Sequence, residues 1–97
     1  MSSRPPPTRA ERDLVYRLAF NEDLTHWIVN DPQTAVRVMR LIEAIHRDPF
    51  RGIGKPEPLK AAGPSIWSRR ITAEHRLVYA VEHTRITFLR ARGHYDD

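Results

Sequence analysis

The first regular pattern along the chain predicts one strand followed by one helix. In residues 15–20 (VYRLAF) every second side chain is large and apolar or aromatic, which is typical of a strand with one buried face. Asn21 has the character of a helix N-cap, and Glu22 and Asp23 would lie in the first turn, where the helix dipole favours negative charge. Apolar residues at i, i+3 and i+4 follow, so we expect this helix to continue to about Asn30.

A second helix is predicted to begin at Asp31-Pro32, because aspartate is a favoured N-cap and proline is favoured at the first helical position. Apolar residues at i, i+3, i+4 and i+7 form one face, whereas arginines lie on the other, so this helix is amphipathic. The apolar residues are Val38, Leu41, Ile42 and Ile45. Asp48-Pro49 ends the helix, and residues 51–58, with two glycines and two prolines, are predicted to form a loop.

Beyond this loop the hydrophobic period changes to two. Residues 66–72, 76–81 and 85–91 each alternate, and residues 82–84 form the short polar link expected of a hairpin. We therefore predict an α+β fold in which two N-terminal helices pack on one face of a twisted, mainly antiparallel, four- to five-stranded sheet. The other face of the sheet is left partly free.

Length and composition fit one small domain. At about 100–200 residues per domain, the 97 residues allow a single core, which we place at residues 14–95. A disordered, proline-rich leader (residues 1–13) precedes it, and a short acidic tail (residues 96–97) follows. The chain has no cysteine and no apolar run near the ~18 residues of a membrane span. Together these features predict a cytoplasmic protein.

The distribution of charge predicts a polyanionic partner. The formal net charge is +4, and it lies in the second half, where residues 51–97 hold nine lysines and arginines against five acidic residues. A basic face of this kind attracts phosphates and speeds their capture. The alternative is a solvated, arginine-rich surface without a partner.

Three kinds of site have little support. The five histidines include no His-x-x-x-His pair, and no cysteine or carboxylate cluster has ligand spacing, so we expect no metal and no cofactor. The pair Gly52-x-Gly54 lacks the third glycine and the flanking elements of a nucleotide-binding motif. Ser65 and Ser68 have no nucleophile elbow around them.

The other polar residues suit metal-free cleavage of RNA. That reaction needs a base for the 2′-OH, cations for the phosphorane and an acid for the leaving 5′-oxygen. Glu57 is the candidate base, because Pro56 and Pro58 restrict its backbone to extended geometry and so hold the carboxylate in place. The alternative is that Glu57 is only a loop residue.

The candidate cation and acid lie further along the chain. Arg76 begins a predicted strand and should project from one sheet face as a fixed guanidinium for phosphate, unless it only forms an ion pair with Glu74 or Glu82. His94 is the candidate acid, since histidine changes its protonation state near neutral pH. Tyr95 adds a hydroxyl and a stacking face.

The order of these residues resembles a known family. The segments GKPEPLK (54–60), WSRRITAEHRLVYAV (67–81) and HY (94–95) resemble the YoeB branch of the RelE-like bacterial toxins, over about residues 15–95. The resemblance implies a microbial RNase-type fold and cleavage of mRNA on the ribosome. It places the base, the transition-state arginine, the acid and the terminal tyrosine at Glu57, Arg76, His94 and Tyr95. We further expect RNA binding by Lys55, Lys60, Arg69, Arg70, His75 and Arg92.

The resemblance also implies partners. It predicts a YefM-type antitoxin, together with the ribosome and mRNA, and a homodimer is a further expectation.

Two features depart from the family pattern: Gly93 stands where relatives have an aromatic residue, and Asp96-Asp97 extends the chain beyond the His-Tyr pair. Both bear on the geometry and the protonation of His94.

Two other functions are compatible with the same fold. One is a non-catalytic inhibitor, like the ParE relatives that block gyrase, and the other is an RNA-binding module that uses only the basic strands. Neither needs Glu57 or His94, so substitution of these two residues in a cleavage assay separates them from the nuclease.

Overall fold

The computed structural model describes residues 11–94, in which two helices pack on one face of a five-stranded sheet. The elements in chain order are β1 (Asp13–Tyr16), α1 (Leu18–Asn30), α2 (Pro32–Arg47), β2 (Glu57–Pro58), a short 3-10 helix (Lys60–Ala62), β3 (Ile66–Arg70), β4 (Arg76–Val81) and β5 (Arg85–Arg90). The strand order is β1-β5-β4-β3-β2. Only the β1–β5 pair is parallel, and the other pairs are antiparallel. The predicted α+β architecture is confirmed.

The core lies between the helices and one face of the sheet. Both helices contribute their apolar faces, and β4 and β5 contribute alternate residues, as the two periodicities require. The central members are Phe20, Trp27, Val38, Leu41, Ile45, Leu77, Tyr79, Ile86 and Phe88. The apolar face predicted for the second helix is therefore confirmed.

Helix α2 begins and ends where the sequence predicts. The Asp31 carboxylate accepts from the Thr34 backbone N–H at 3.3 Å and from the Thr34 hydroxyl at 2.8 Å, and Pro32 is the first helical residue. The helix ends at Arg47, just before Asp48-Pro49. The predicted hairpin link is also confirmed, since the Glu82 N–H donates to the Arg85 carbonyl at 2.9 Å.

The boundary between β1 and α1 differs from the prediction. The strand ends at Tyr16 rather than at residue 20, and Arg17, not Asn21, is the N-cap residue. The Arg17 N–H makes the last bond to β5, at the Phe88 carbonyl, and the Arg17 carbonyl accepts the first helical bond from Asn21. The apparent alternation was misleading because Phe20 belongs to the helical face that it shares with Trp27.

The predicted leader and tail lie largely outside the described residues. Of residues 1–13, only 11–13 are described, and Asp13 is the first residue of β1. The tail at residues 96–97 and Tyr95 are not among the described residues. Among residues 11–94, no helix has the length and apolar character needed to cross a bilayer.

The loop between α2 and β2 closes tightly against the sheet. The Gly54 carbonyl accepts from the Arg70 N–H at 2.6 Å, and Gly54 has φ +84°. A Cβ at this position would lie 2.8 Å from Leu41 Cδ2 and 3.2 Å from the Arg70 carbonyl oxygen. Only glycine allows this approach, which places the following residues, up to Glu57, at the edge of β3.

Candidate active site on the open face of the sheet

The strand register divides β2, β3 and β4 into two faces. Trp67 pairs with Tyr79 on the face that packs against the helices. Directly paired residues of antiparallel strands share a face, so the opposite face, here called the open face, carries the alternate residues. These are Glu57 paired with Ser68, Ser68 with Val78, and Arg70 with Arg76.

The open face has a buried floor surrounded by charged side chains. Ser68 and Val78 are 4% and 6% exposed, whereas Glu57 and Arg70 are exposed and Arg76 is half-buried. Neighbouring strands lie about 4.8 Å apart, so Glu57 is about 10 Å from β4 and about 5 Å from β3. The sheet therefore presents one carboxylate and two guanidinium groups to a single surface region.

Arg76 is held by the turn that joins β3 to β4. Its Nη1 donates to the carbonyls of Thr72 at 3.0 Å, Ala73 at 3.3 Å and His75 at 3.3 Å. The Thr72 hydroxyl accepts from the N–H groups of Glu74 and His75 and so stabilises the same turn. The alternative was an ion pair of Arg76 with Glu74 or Glu82. Glu82 pairs with Arg85 at 3.1 Å, and the side-chain partners of Arg76 are the three carbonyls. Arg76 is oriented by backbone carbonyls instead.

His94 follows a segment that is fastened beside β4. We define the strap as residues 91–93. The Gly93 carbonyl accepts from the Arg76 N–H at 2.9 Å, which places the backbone of His94 next to Arg76. The Gly93 N–H in turn donates to His75 Nδ1 at 3.0 Å. His94 itself is exposed.

The other end of the strap is fastened to α1. The Asp23 carboxylate accepts from the Ala91 N–H at 2.9 Å, and Trp27 Nε1 donates to the Ala91 carbonyl at 2.7 Å. Asp23 also pairs with Arg90, with 2.8 Å between Oδ2 and Nε. Sequence reasoning missed this role because it placed Asp23 in the first turn of the helix. The spacing of Asp23 and Trp27, at i and i+4 on the buried face, is the signal that could have indicated it.

The base candidate lies in extended backbone, as predicted. Glu57 and Pro58 form β2, which pairs with β3. The next residue, Leu59, is also bonded to β3, since its N–H donates to the Ile66 carbonyl at 2.8 Å. Lys55 and Lys60 flank Glu57 and are exposed. Arg92 is exposed on the strap.

Arg69 differs from the expectation of an RNA contact. It is 0% exposed and lies on the helix-side face, where its guanidinium donates to the Tyr79 hydroxyl at 3.1 Å. It also donates to three carbonyls of the loop after α2, at 2.6 Å, 3.0 Å and 3.1 Å. These belong to Asp48, Arg51 and Ile53. A guanidinium that is enclosed and saturated in this way is not available to a phosphate, so Arg69 holds the loop in place.

Tyr79 completes this buried support. Its hydroxyl donates to the Pro49 carbonyl at 2.6 Å. Burial raises the pKa of the Tyr79 hydroxyl, and the hydrogen bond and the positive charge of Arg69 partly oppose that increase. The loop that leads to Glu57 is thus fixed from the helix side, while Glu57 and Arg76 lie on the open face.

The described residues contain no group of three or more histidines and carboxylates that could hold a metal ion. The candidate groups are the Glu57 carboxylate and the Arg70 and Arg76 guanidinium groups on the open face, and His94, which follows the residue bonded to Arg76. In such a set, the carboxylate can accept a proton, the guanidinium groups can bind a phosphate, and the histidine can donate a proton.

Comparison with known proteins gives consistent similarities. A family model described as "YoeB-like toxin of bacterial type II toxin-antitoxin system" matches residues 14–95. The toxin YoeB of Mycobacterium bovis is 54% identical over 74 residues, which are 76% of this chain and 87% of that protein.

Solved structures show the same likeness. A YoeB/ParE toxin from Agrobacterium tumefaciens has a TM-score of 0.81 at 41% identity, covering 86% of this chain and 99% of its own. From Staphylococcus aureus, a YoeB dimer has a TM-score of 0.80 at 34% identity, covering 88% and 99% of the two chains. A YoeB-YefM complex from the same organism has a TM-score of 0.75 at 33% identity, covering 87% and 98%.

Proposed function

Because this chain belongs to the YoeB-like toxins of bacterial type II toxin–antitoxin systems, we propose that it is a ribosome-dependent endoribonuclease that cleaves mRNA without a metal ion. The observation that carries this proposal is the placement of Glu57, Arg70 and Arg76 on one sheet face, with Gly93, the residue before His94, bonded to the Arg76 N–H. An inhibitor that only binds would not need a carboxylate and a histidine around a guanidinium.

In the proposed reaction, the Glu57 carboxylate takes the proton of the 2′-OH, and the 2′-oxygen attacks the adjacent phosphorus. Arg76 and Arg70 bind the non-bridging oxygens, where negative charge grows in the phosphorane. His94 in its protonated form gives its proton to the 5′-oxygen as the P–O5′ bond breaks. The products are a 2′,3′-cyclic phosphate, which can hydrolyse to a 3′-phosphate, and a 5′-hydroxyl.

The turn carbonyls support the role of Arg76. They occupy its Nη1, and among the described residues Nε and Nη2 have no hydrogen-bond partner, so these donors are left for a phosphate. A guanidinium fixed before the substrate arrives needs little reorganisation in the transition state.

We further propose that Lys55, Lys60, Arg70 and Arg92 contact RNA, and that Tyr95 contributes its hydroxyl or ring at the same site. Lys55, Lys60, Arg70 and Arg92 are exposed, and Arg70 lies on the open face. Arg69 is left out of this set because it is buried. Binding should weaken as salt rises, since several neutralised phosphates release counterions.

A YefM-type antitoxin is the proposed protein partner, and a homodimer the proposed self-association. The complex and the dimer of the Staphylococcus aureus YoeB support both. An acidic antitoxin segment over the basic open face would cover Glu57 and Arg76 and so block cleavage.

The test is cleavage of mRNA on purified ribosomes by the wild type and by the variants Glu57→Gln and His94→Gln. General acid–base groups contribute about 10²–10⁴-fold, so we expect losses in that range with unchanged folding. The matched controls are Glu22→Gln and His83→Gln, which alter exposed residues away from the open face. We expect product ends of the stated kind.

Three outcomes would contradict the proposal. Full activity of both site variants would exclude the assigned base and acid. Equally fast cutting of naked mRNA would exclude dependence on the ribosome. Inhibition of translation or of gyrase without any cleavage would favour the non-catalytic alternative.

A further inference from the structure

The strap before His94 is bonded to its surroundings at both of its ends. Ala91 is bonded through both its N–H and its carbonyl, and so is Gly93. Three of these four partners are side chains from distant parts of the sequence, Asp23, Trp27 and His75. A segment held in this way has a fixed direction where it reaches the next residue, His94.

Of the three side chains bonded to the strap backbone, His75 is the one bonded nearest in sequence to His94. Its Nδ1 accepts from the Gly93 N–H at 3.0 Å, across 18 residues of sequence. An imidazole that accepts at Nδ1 is neutral and carries its proton on Nε2. The ring lies edge-on to Trp27, with 4.8 Å between the ring centroids and 73° between the planes. The side chain is thus oriented on one side by an aromatic ring and on the other by the strap.

His75 also belongs to the turn that orients Arg76. Its carbonyl accepts from Arg76 Nη1 at 3.3 Å and from the Ile71 N–H at 2.9 Å. The same residue therefore contacts the proposed transition-state arginine through its backbone and the strap of the proposed acid through its ring. This double contact holds the strap against the turn that orients Arg76.

Gly93 is the point at which the direction of the strap is set. Its φ is +111°, a conformation that side-chain-bearing residues rarely adopt. In this conformation its N–H faces His75 while its carbonyl faces the Arg76 N–H. In this chain, Gly93 therefore has the backbone conformation in which its N–H can reach His75.

We propose that His75 is a positioning residue for His94, which acts by accepting the Gly93 N–H bond, and not a residue that contacts RNA. Its effect on catalysis rests on the proposed function, because it acts through the proposed acid. A misplacement of about 1 Å in a catalytic group can cost about 10²-fold in rate. Loss of the bond should lower the rate of the chemical step and leave substrate binding unchanged.

The test compares two substitutions at one position. In His75→Asn, the amide oxygen lies near the former position of Nδ1 and can accept the bond. In His75→Leu, the side chain fills the space against Trp27 but cannot accept. We expect His75→Leu to lose about 10- to 100-fold in kcat for cleavage on ribosomes at unchanged KM, and His75→Asn to stay within about threefold of the wild type.

A second measurement does not depend on activity. Hydrogen exchange of the Gly93 amide, followed by NMR, should become faster in His75→Leu and stay slow in His75→Asn. If His75→Leu does not fold, His75→Gln replaces it, because its amide lies near the position of Nε2 and leaves Nδ1 without a substitute. Slow Gly93 exchange in the non-accepting variant would overturn the proposal.

The failure of this inference is distinguishable from failure of the proposed function. If the wild type does not cleave, or if His94→Gln cleaves fully, the proposed function fails, while the exchange measurement still decides the bond. If the wild type cleaves and His75→Leu keeps its kcat, the positioning role is wrong. A raised KM in both His75 variants would show that His75 contacts RNA instead.

Discussion

The two faces of the β3–β4 hairpin carry similar residues in different surroundings. Arg69 and Arg70 are neighbours in β3, yet Arg69 is 0% exposed among backbone carbonyls and Tyr79, whereas Arg70 is exposed beside Arg76. The alternation of the strand alone separates them. A high content of arginine therefore indicates neither nucleic-acid binding nor structural support until each arginine has been assigned to a face.

The difference has an energetic consequence. On the helix side, Arg69 donates to carbonyls in partly buried surroundings, where loss of a donor costs up to about 1–3 kcal/mol per group. Removal of an exposed side chain from the open face costs little stability, because water replaces its contacts. We therefore expect substitutions on the helix side to change stability and substitutions on the open face to change activity.

The largest effect on stability is expected for Arg69→Leu. The carbonyls of Asp48, Arg51 and Ile53 lose their guanidinium donors, so the free energy of unfolding should fall by about 3 kcal/mol or more. Urea unfolding followed by circular dichroism measures the change. The matched control is Arg70→Leu, for which we expect a change within about 0.5 kcal/mol. Equal losses in the two variants would show that the faces do not differ.

The converse is expected for Arg76→Lys. Lysine keeps the charge but lacks the planar fork that binds a phosphate and the turn carbonyls together, so kcat on ribosomes should fall about 10²-fold. The free energy of unfolding should change by no more than about 1 kcal/mol, because the turn carbonyls are near solvent. Arg85→Lys, at the start of β5, is the control and should change neither quantity. A stability loss as large as that of Arg69→Leu would make Arg76 a structural residue.

Much of the fold could be predicted from the sequence because its signals are local. The cap of α2, its apolar face and the alternation of the last three strands each depend on residues close together in the chain. The start of α1 could not be predicted in this way. Its limit is set by the pairing of β1 with β5, a contact between residues about 70 positions apart.

The candidate site was predictable only in part, for the same reason. Glu57 and Arg76 could be proposed from local chemistry, and the strand register places them on one face. The burial of Arg69 depends on a loop folding over the strand, which the residues of β3 do not indicate. The bonds of Asp23, Trp27 and His75 to the strap join distant segments, so no pattern along the chain could reveal them all.

A smaller effect on the helix side is expected for Tyr79→Phe. The ring still fills its place between Trp67 and Phe88, but the bond to the Pro49 carbonyl and the acceptor for Arg69 are lost. At neutral pH, the free energy of unfolding should fall by about 1–2 kcal/mol, and cleavage on ribosomes should change little. A large loss of cleavage without loss of stability would break the separation of the two faces.

The Tyr79→Phe variant also tests the helix side through the pH dependence of the free energy of unfolding. Burial raises the pKa of Tyr79 in the folded protein, so the unfolded chain releases this proton first, from about pH 10 upward. The folded state then holds more protons than the unfolded state, and the free energy of unfolding must fall as pH rises through the folded-state pKa. Below that window Tyr79 adds no pH dependence.

Urea unfolding at about pH 8 and about pH 11 should therefore show a smaller alkaline loss of the free energy of unfolding for Tyr79→Phe than for the wild type. Tyr16→Phe is the control, since burial also raises the pKa of Tyr16, which is 41% exposed and should remove less of the slope. An unchanged slope in Tyr79→Phe would mean that the buried hydroxyl does not titrate with unfolding.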